Sequence, residues 1–227
     1  MSVISAEDLS FYFEDSNAGR VDILEHLALE VQQGEFVAIM GPSGSGKSTL
    51  MQVASGLERA KGGAVRLLDV DLNRARRGQI KRLYRQHVSF IFQDSHLIPG
   101  LSAADNVGMA AALARVRDGR AAAVNLLDDL GVGHVARHYP SELSGGQRQR
   151  VALATGLIKT PAVIFADEPT AALDSASTDV IVGRLTALTH DGGSVVVVTH
   201  DEQLARCAST VYWLEGGRLS PRQLERV

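Results

Sequence analysis

Gly41-Pro-Ser-Gly-Ser-Gly-Lys-Ser-Thr49 stands between the continuous apolar run Phe36–Met40 and a stretch of helix formers, Lys47–Gly56, that stops at a glycine. It fits the pattern G-x-x-x-x-G-K-[ST] in the strand–loop–helix setting that gives the pattern its meaning. Glycines at 41, 44 and 46 let backbone N–H groups converge on phosphate oxygens, and the helix N-terminus adds its partial positive charge. Lys47 is long enough to reach β- and γ-phosphates, and the Ser48 hydroxyl is a hard oxygen ligand suited to Mg²⁺. Gly41, Ser43, Gly44, Ser45, Gly46, Lys47, Ser48 and Thr49 are therefore read as a nucleotide phosphate cradle.

A second apolar strand, Ala162-Val-Ile-Phe-Ala166, delivers Asp167 and Glu168 at its C-terminal end. In an open α/β sheet that edge is where ligands bind. Two acids after a strand are, taken alone, an ordinary solvated strand end. Behind a phosphate loop they acquire roles: Asp167 to hold Mg²⁺ through its water shell, and Glu168 to polarise an attacking water.

Around these two stretches the chain alternates strand and helix. Leu9–Phe13, Ile23–Val31, Ala64–Leu68, Val88–Phe92 and Ser194–Thr199 read as strands, and Gly78–Tyr84 and Ser175–Thr189 as helices, the latter with Asp174 as N-cap. Tyr212–Leu219 reads as a hairpin turning at Gly216–Gly217. Continuous apolar strands of this kind imply an α/β fold with a covered, mostly parallel sheet. From Asp94 to about Lys159 alanine and leucine take over. Leu126, Leu127 and Leu130 fall at helical spacing, with Gly131 as C-cap, and this stretch reads as an inserted helical lobe.

Composition excludes several classes. With 227 residues, 45% apolar and 22% charged, the chain is neither disordered nor fibrous. A net charge of −3 is not that of a polycation built for nucleic acid or anionic membranes. The longest apolar runs, such as Val195–Val198, fall far short of the ~20 residues a membrane span requires. Met1–Leu9 carries Glu7 and Asp8 and lacks the apolar stretch of a signal peptide. Cys207, the single cysteine, cannot form an internal disulfide, suits a reducing cytosol, and reads as a small packing residue. Arg74, Arg76, Arg77, Lys81, Arg82 and Arg85 form a basic run without interleaved aromatics. A solvated helix face is its first reading, with nucleic acid and lipid headgroups as alternatives.

Leu143-Ser-Gly-Gly-Gln147 completes the pattern. With the phosphate loop before it and Asp167-Glu168 after it, it resembles the signature of ATP-binding cassette (ABC) ATPases, and the resemblance covers essentially the whole chain in the family's motif order. The resemblance implies a P-loop NTPase core of RecA-like type, an N-terminal antiparallel β subdomain and an inserted α-helical lobe. Residues 1–93 and 160–227 would form the β subdomain and nucleotide-binding core of a single ATPase domain, and about 94–159 the lobe. It implies ATP and Mg²⁺ as cofactors and a head-to-tail dimer, homodimeric or pseudo-symmetric. Each ATP would lie on one subunit's phosphate loop and be closed by Ser144, Gly145, Gly146 and Gln147 of the other. Gln93 resembles the Q-loop glutamine, which contacts Mg²⁺ or water, and His200 the switch histidine that senses the γ-phosphate. Glu168, His200 and Gln93 thus form the implied catalytic set, and Ser48, Gln93 and Asp167 the metal set. Ala172-Leu-Asp174 resembles the D-loop, with Asp174 working across the dimer interface. The adenine-stacking aromatic falls in Phe11-Tyr-Phe13, where register favours Phe13.

The sequence departs from the family pattern where Thr155-Gly156 follow Ala152-Leu153-Ala154 in place of the usual basic residue, and at Asp69, where glycine is common. The resemblance implies an energising subunit on the cytoplasmic face of the cell membrane, docked on a separate permease through the surface around Asp94–Asn106. Ser95-His-Leu-Ile-Pro-Gly-Leu101 followed by Ala104-Asp-Asn-Val107 resembles the lipoprotein-release and macrolide-efflux group, which works by export or mechanical extrusion. An amino-acid importer subunit, a cell-division regulator and a DNA-repair ATPase are the alternatives. Single copies of each motif, the 97-position separation of Lys47 and Ser144, and a chain ending soon after Leu219 point away from tandem translation factors, coiled-coil repair ATPases and sugar importers, and nucleic acid is not an expected partner.

Overall fold

The computed structural model describes residues 1–15, 19–171 and 173–223; Ala172 of the D-loop tripeptide lies outside them. The chain opens with β1 (Ser2–Asp15) and β2 (Gly19–Gln32), followed by β3 (Phe36–Met40), the phosphate loop and α1 (Lys47–Ser55). Next come β4 (Gly62–Leu67), β5 (Val70–Asp71), α2 (Arg77–Gln86) and β6 (Val88–Ile91). The helical stretch holds α3 (Ala103–Ala114), α4 (Gly119–Asp129) and α5 (Gly145–Leu157). The chain then returns to the sheet with β7 (Val163–Asp167), α6 (Ser175–His190), β8 (Ser194–Val198), α7 (Glu202–Arg206), β9 (Thr210–Glu215) and β10 (Arg218–Pro221).

A 4-stranded antiparallel sheet has the order β2-β1-β4-β5, and a 6-stranded sheet the order β10-β9-β3-β8-β7-β6. In the larger sheet every pair is parallel except the β9–β10 hairpin. Its strands β3, β7 and β8 are buried on both faces, and period-two geometry divides each one between two cores. Ala38, Ile164, Ala166, Val195 and Val197 pack with Val151 and Leu153 of α5 and Ile181 and Leu185 of α6. Val37, Ile39, Phe165, Val196 and Val198 face Leu50 and Met51 of α1 and the antiparallel sheet's Ile4, Leu29 and Val31. This two-sided burial is why the strands read as unbroken apolar runs.

β1 is longer than the Leu9–Phe13 segment legible in sequence. Ile4 and Ala6 are buried, then Leu9 and Phe11, so the inward phase changes from even to odd positions. The pairing register shifts between Ala6↔Leu29 and Leu9↔Leu27, with Asp8 at φ 54 and His26 at φ 49. A bulge there absorbs the extra residue and conceals the first half of the strand from any simple alternation.

Several smaller readings are refined. Cys207 is exposed beyond the end of α7, with Sγ 3.5 Å from the Gln203 carbonyl, so it is not the small packing residue its type suggested. The basic run lies on and before α2 and is mostly exposed, but Arg85 is half-buried and its Nε has no hydrogen-bond partner among the described residues. Asp69 adopts φ 65, a left-handed conformation that explains why glycine is favoured there and why aspartate is tolerated. No helix among the described residues is long and apolar enough to cross a membrane.

Candidate active site

Parallel pairing sends the C-terminal ends of β3, β6, β7 and β8 to one edge. Ile39 and Asp167 both pair with Val198, and Ile91 pairs with Ala166. The phosphate loop, Gln93, Asp167-Glu168 and His200 therefore emerge side by side, although they come from widely separated parts of the chain.

The loop is held by close approach. A Cβ on Gly41 would lie 2.2 Å from the Leu214 carbonyl oxygen, and one on Gly46, at φ 97, would lie 2.8 Å from Ile23 Cγ2. Neither position accepts a side chain without moving β9 or β2. Gly46 caps α1 in the left-handed conformation, and its carbonyl accepts from Leu50 N at 2.7 Å. Lys47 Nζ donates to Gly41 O at 2.9 Å and Pro42 O at 2.8 Å, which tethers the ammonium over the loop. The Ser45 hydroxyl is buried without a partner among the described residues, while Ser43 and Ser48 are exposed.

Asp167 ends β7 near the Ser48 hydroxyl. Burial pushes the carboxyl pKa up from its ordinary value. The Ser48 hydroxyl opposes the rise, the neighbouring Glu168 adds to it, and Lys47 opposes it. Two hard oxygen donors and a cation thus meet at the end of α1, and Ser48 with Asp167 fits a Mg²⁺ ion's preference for oxygen ligands.

Glu168 adopts φ 45 and donates its N–H to Val198 O at 2.9 Å. Its side chain is 15% exposed and fully engaged. His200 Nδ1 lies 2.8 Å from Oε1, His200 N donates to Oε1 at 3.1 Å, and Thr199 Oγ1 donates to Oε2 at 3.0 Å. Gln93 is exposed in the loop after β6, since the strand stops at Ile91 and not at Phe92. Among the described residues, neither Gln93 nor the signature shares a hydrogen bond with this cluster.

The signature is built as a helix start. Ser144 caps α5, accepting from Gln147 N at 3.2 Å, while Gln147 Oε1 accepts from Ser144 N at 2.9 Å. A Cβ on Gly145 would meet nothing within 4 Å, whereas one on Gly146 would lie 2.7 Å from Ser177 Oγ. Ser177 is bonded to Asp174, which caps α6 by accepting from Ser177 N at 2.7 Å and from Ser177 Oγ at 3.2 Å. Those bonds hold the Asp174 carboxyl pKa below its ordinary value. Of the three candidate aromatics, Phe11 is buried at 2% and Tyr12 packs under Arg20, whose guanidinium is 4.1 Å from the ring centroid. Phe13 is 50% exposed, edge-on to Phe11.

Three contributors were not singled out from sequence. Thr199 reads as one more β-branched residue closing a valine strand. Gln149, 5% exposed inside α5, donates to Phe92 O at 3.2 Å and so ties the signature helix to the loop bearing Gln93. Asn106, 4% exposed, accepts from Ile98 N at 2.7 Å and donates to Leu101 O and Ser102 O, each at 3.0 Å. An asparagine inside an alanine-rich stretch was the available signal for Asn106.

The chain has counterparts among known proteins. MacB of Rhodospirillum rubrum, described as a macrolide export ATP-binding/permease protein, is 44% identical over 221 residues, which are 96% of this chain and 34% of the relative. The chain thus spans about a third of the length of the macrolide-export relatives it matches. An uncharacterized ABC transporter ATP-binding protein of Bacillus subtilis, YvrO, is 39% identical over 201 residues, with 88% of each chain covered. A dimeric post-hydrolysis structure of the ATP-binding cassette MJ0796, bound to ADP and Pi, matches with TM-score 0.91 and 33% identity, covering 99% of this chain and 100% of that one. Residues 24–171 match the family model described as ABC transporter. With its motifs, fold and relatives in agreement, the chain belongs to the ABC transporter family and forms its ATP-binding cassette.

Proposed function

We propose that this cassette binds ATP with Mg²⁺, hydrolyses it, and energises export or mechanical extrusion through a separate membrane permease. The observation that carries the reading is the single sheet edge at which Ser48 and Lys47 adjoin Asp167 and His200 bonds Glu168. Charge-neutralising and proton-accepting groups there adjoin a loop shaped for phosphates.

In this reading, Gly41, Ser43, Gly44, Ser45, Gly46 and Thr49 cradle the phosphates through backbone and hydroxyl groups. Lys47 exchanges its loop carbonyls for phosphate oxygens. Ser48 and Asp167, joined by Gln93, hold Mg²⁺, which supplies charge neutralisation at the phosphate oxygens when bound. Phe13 offers its exposed ring to adenine. Glu168 orients water for in-line attack on the γ-phosphorus and accepts its proton. The bond to the bridging oxygen breaks, giving ADP and inorganic phosphate, and positioning supplies most of the rate.

Ser144, Gly145, Gly146 and Gln147 act from the second subunit of a two-fold dimer, with Asp174 at the interface, so loss of the γ-phosphate opens the closed state. The chain works as one ATPase domain whose lobe, about 94–159, hinges at Gln93 on the core formed by 1–93 and 160–227. The surface Asp94–Asn106, whose loop Asn106 pins, docks on the permease at the cytoplasmic membrane face. No nucleic acid takes part. Trapping Glu168→Gln with ATP in native cells and identifying what copurifies tests the assignment. An ATP-dependent dimer with negligible turnover, bound to an integral membrane protein, is expected. Normal turnover would remove Glu168 as the base, and soluble partners alone would remove the transport coupling.

A further inference from the structure

We infer that Thr199 is the positioning residue that aims Glu168, an inference resting on the reading of Glu168 as the base. Thr199 has no exposed surface, and its backbone N–H is locked into the sheet by the Ile39 carbonyl at 3.1 Å. Its Oγ1 lies 3.0 Å from Glu168 Oε2 and also accepts Asp201 N–H at 3.0 Å. A hydroxyl has one proton and two lone pairs. Asp201 N–H occupies one lone pair, and because a carboxylate oxygen only accepts, the Thr199 proton goes to Glu168 and sets the direction of the bond.

The two carboxylate oxygens are held by different kinds of group. Oε1 faces the His200 ring, whose side chain is 74% exposed and can leave, and it also accepts the His200 backbone N–H at 3.1 Å. Oε2 faces a hydroxyl that is buried and backbone-anchored. When the His200 ring turns toward a γ-phosphate, its place on Oε1 becomes available to water while the Thr199 hydroxyl and the His200 backbone N–H keep the carboxylate in place. Asp201 fixes Thr199 from behind: its Oδ1 accepts from Gln203 N at 2.8 Å, and its Oδ2 accepts from Thr170 Oγ1 at 3.4 Å. Thr199 therefore supplies the fixed side-chain half of a clamp whose movable half is the His200 ring.

Steady-state ATP turnover of Thr199→Val, Thr199→Ser and Glu168→Gln, together with the Glu168→Gln/Thr199→Val double variant, tests this. For Thr199→Val we expect kcat to fall about 10- to 100-fold, as a base displaced by a fraction of an ångström to an ångström implies. KM for ATP and ATP-dependent dimerisation should stay within about twofold to threefold, and Thr199→Ser should restore turnover. In the Glu168→Gln background the valine should change the residual rate by less than about twofold, because the group it aims is gone. Should Thr199→Val fail to fold, Thr199→Ala, which removes the hydroxyl without setting a methyl against Glu168, is scored by the same ratio. Wild-type turnover in the hydroxyl-free variant overturns the proposal, as does a loss that serine does not rescue, or one that adds in full to Glu168→Gln. Normal turnover of Glu168→Gln itself would instead overturn the underlying assignment of the base.

Discussion

Replacing Gly156 by alanine tests whether the departure from the family pattern at the end of α5 is a removable weakness. Gly156 is buried in the helix, and a Cβ there would lie 3.5 Å from Ile91 Cγ1, 3.8 Å from Phe90 O and 3.8 Å from Ser89 Cβ. All three are ordinary contact distances, so the methyl group enters without displacing β6. The Gly156 carbonyl still accepts the Ser89 hydroxyl at 2.6 Å, because that bond uses backbone only. Alanine in place of an interior helical glycine contributes about 1 kcal/mol, and burying one methyl adds about 0.8 kcal/mol. Partial desolvation in the unfolded chain trims the sum, leaving about 1–2 kcal/mol. For a chain of this size that corresponds to a Tm rise of about 2–8 °C. Urea unfolding of the nucleotide-free protein should show a higher midpoint at unchanged m-value, with ATP turnover within twofold of wild type. An unchanged or lowered midpoint would refute the reasoning, because it would mean that β6 has to yield to admit the methyl.

Lys47→Ala removes the ammonium tethered to the phosphate loop and should weaken ATP binding by at least tenfold in calorimetry while leaving the melting curve nearly intact. Gly146→Ala sets a methyl 2.7 Å from Ser177 Oγ and should cost about 1–2 kcal/mol as an overpacked contact. Adding Ser177→Ala removes the atom it strikes and should recover at least half of that loss, read by urea midpoint. Lys159 and Tyr84 predict a stability maximum in alkali. Burial lowers the Lys159 pKa from 10.5 to about 8, so the unfolded chain binds more protons between those values and stability rises with pH there. Burial raises the Tyr84 pKa from 10.0 to about 12, so the folded chain holds the extra proton and stability falls from pH 10 upward. Lys159→Met should flatten the rise and Tyr84→Phe the fall, each measured by the pH dependence of the urea midpoint.

The parallel sheet and the nucleotide edge were legible because their chemistry is local and dense. The cradle residues 41–49 occupy consecutive positions, and the buried strands are apolar on both faces. Phe11 and Phe13 fall on the same strand face with their rings in contact, so alternation does not separate them; Phe13 is the exposed one of the pair, beyond the register shift between Phe11 and Tyr12. What escaped had its determinants outside its own segment. The first half of β1 was hidden by the bulge at Asp8, which reverses the inward phase without leaving a glycine or proline to mark it. Thr199, Gln149 and Asn106 draw their roles from partners 31, 57 and up to 8 positions away, and nothing in their immediate neighbours announces those partners. Cys207 misled because a small apolar residue type says nothing of which side of a five-residue helix it follows.

The strand that leads into the phosphate loop has a further consequence during synthesis. β3 lies between β8 and β9, so both of its sheet neighbours are made more than 150 residues after it, and the Leu214 carbonyl that Gly41 abuts comes later still. On the ribosome the loop's sequence is therefore present long before the loop's shape, because such distant pairings close late. ATP in the surrounding solution has nothing to bind until residues 194–215 have emerged. Whatever stability the nucleotide lends accrues only to the finished sheet. Nascent chains stalled short of β9 should show no ATP protection against proteolysis, so that the ligand itself distinguishes a completed cassette from an interrupted one.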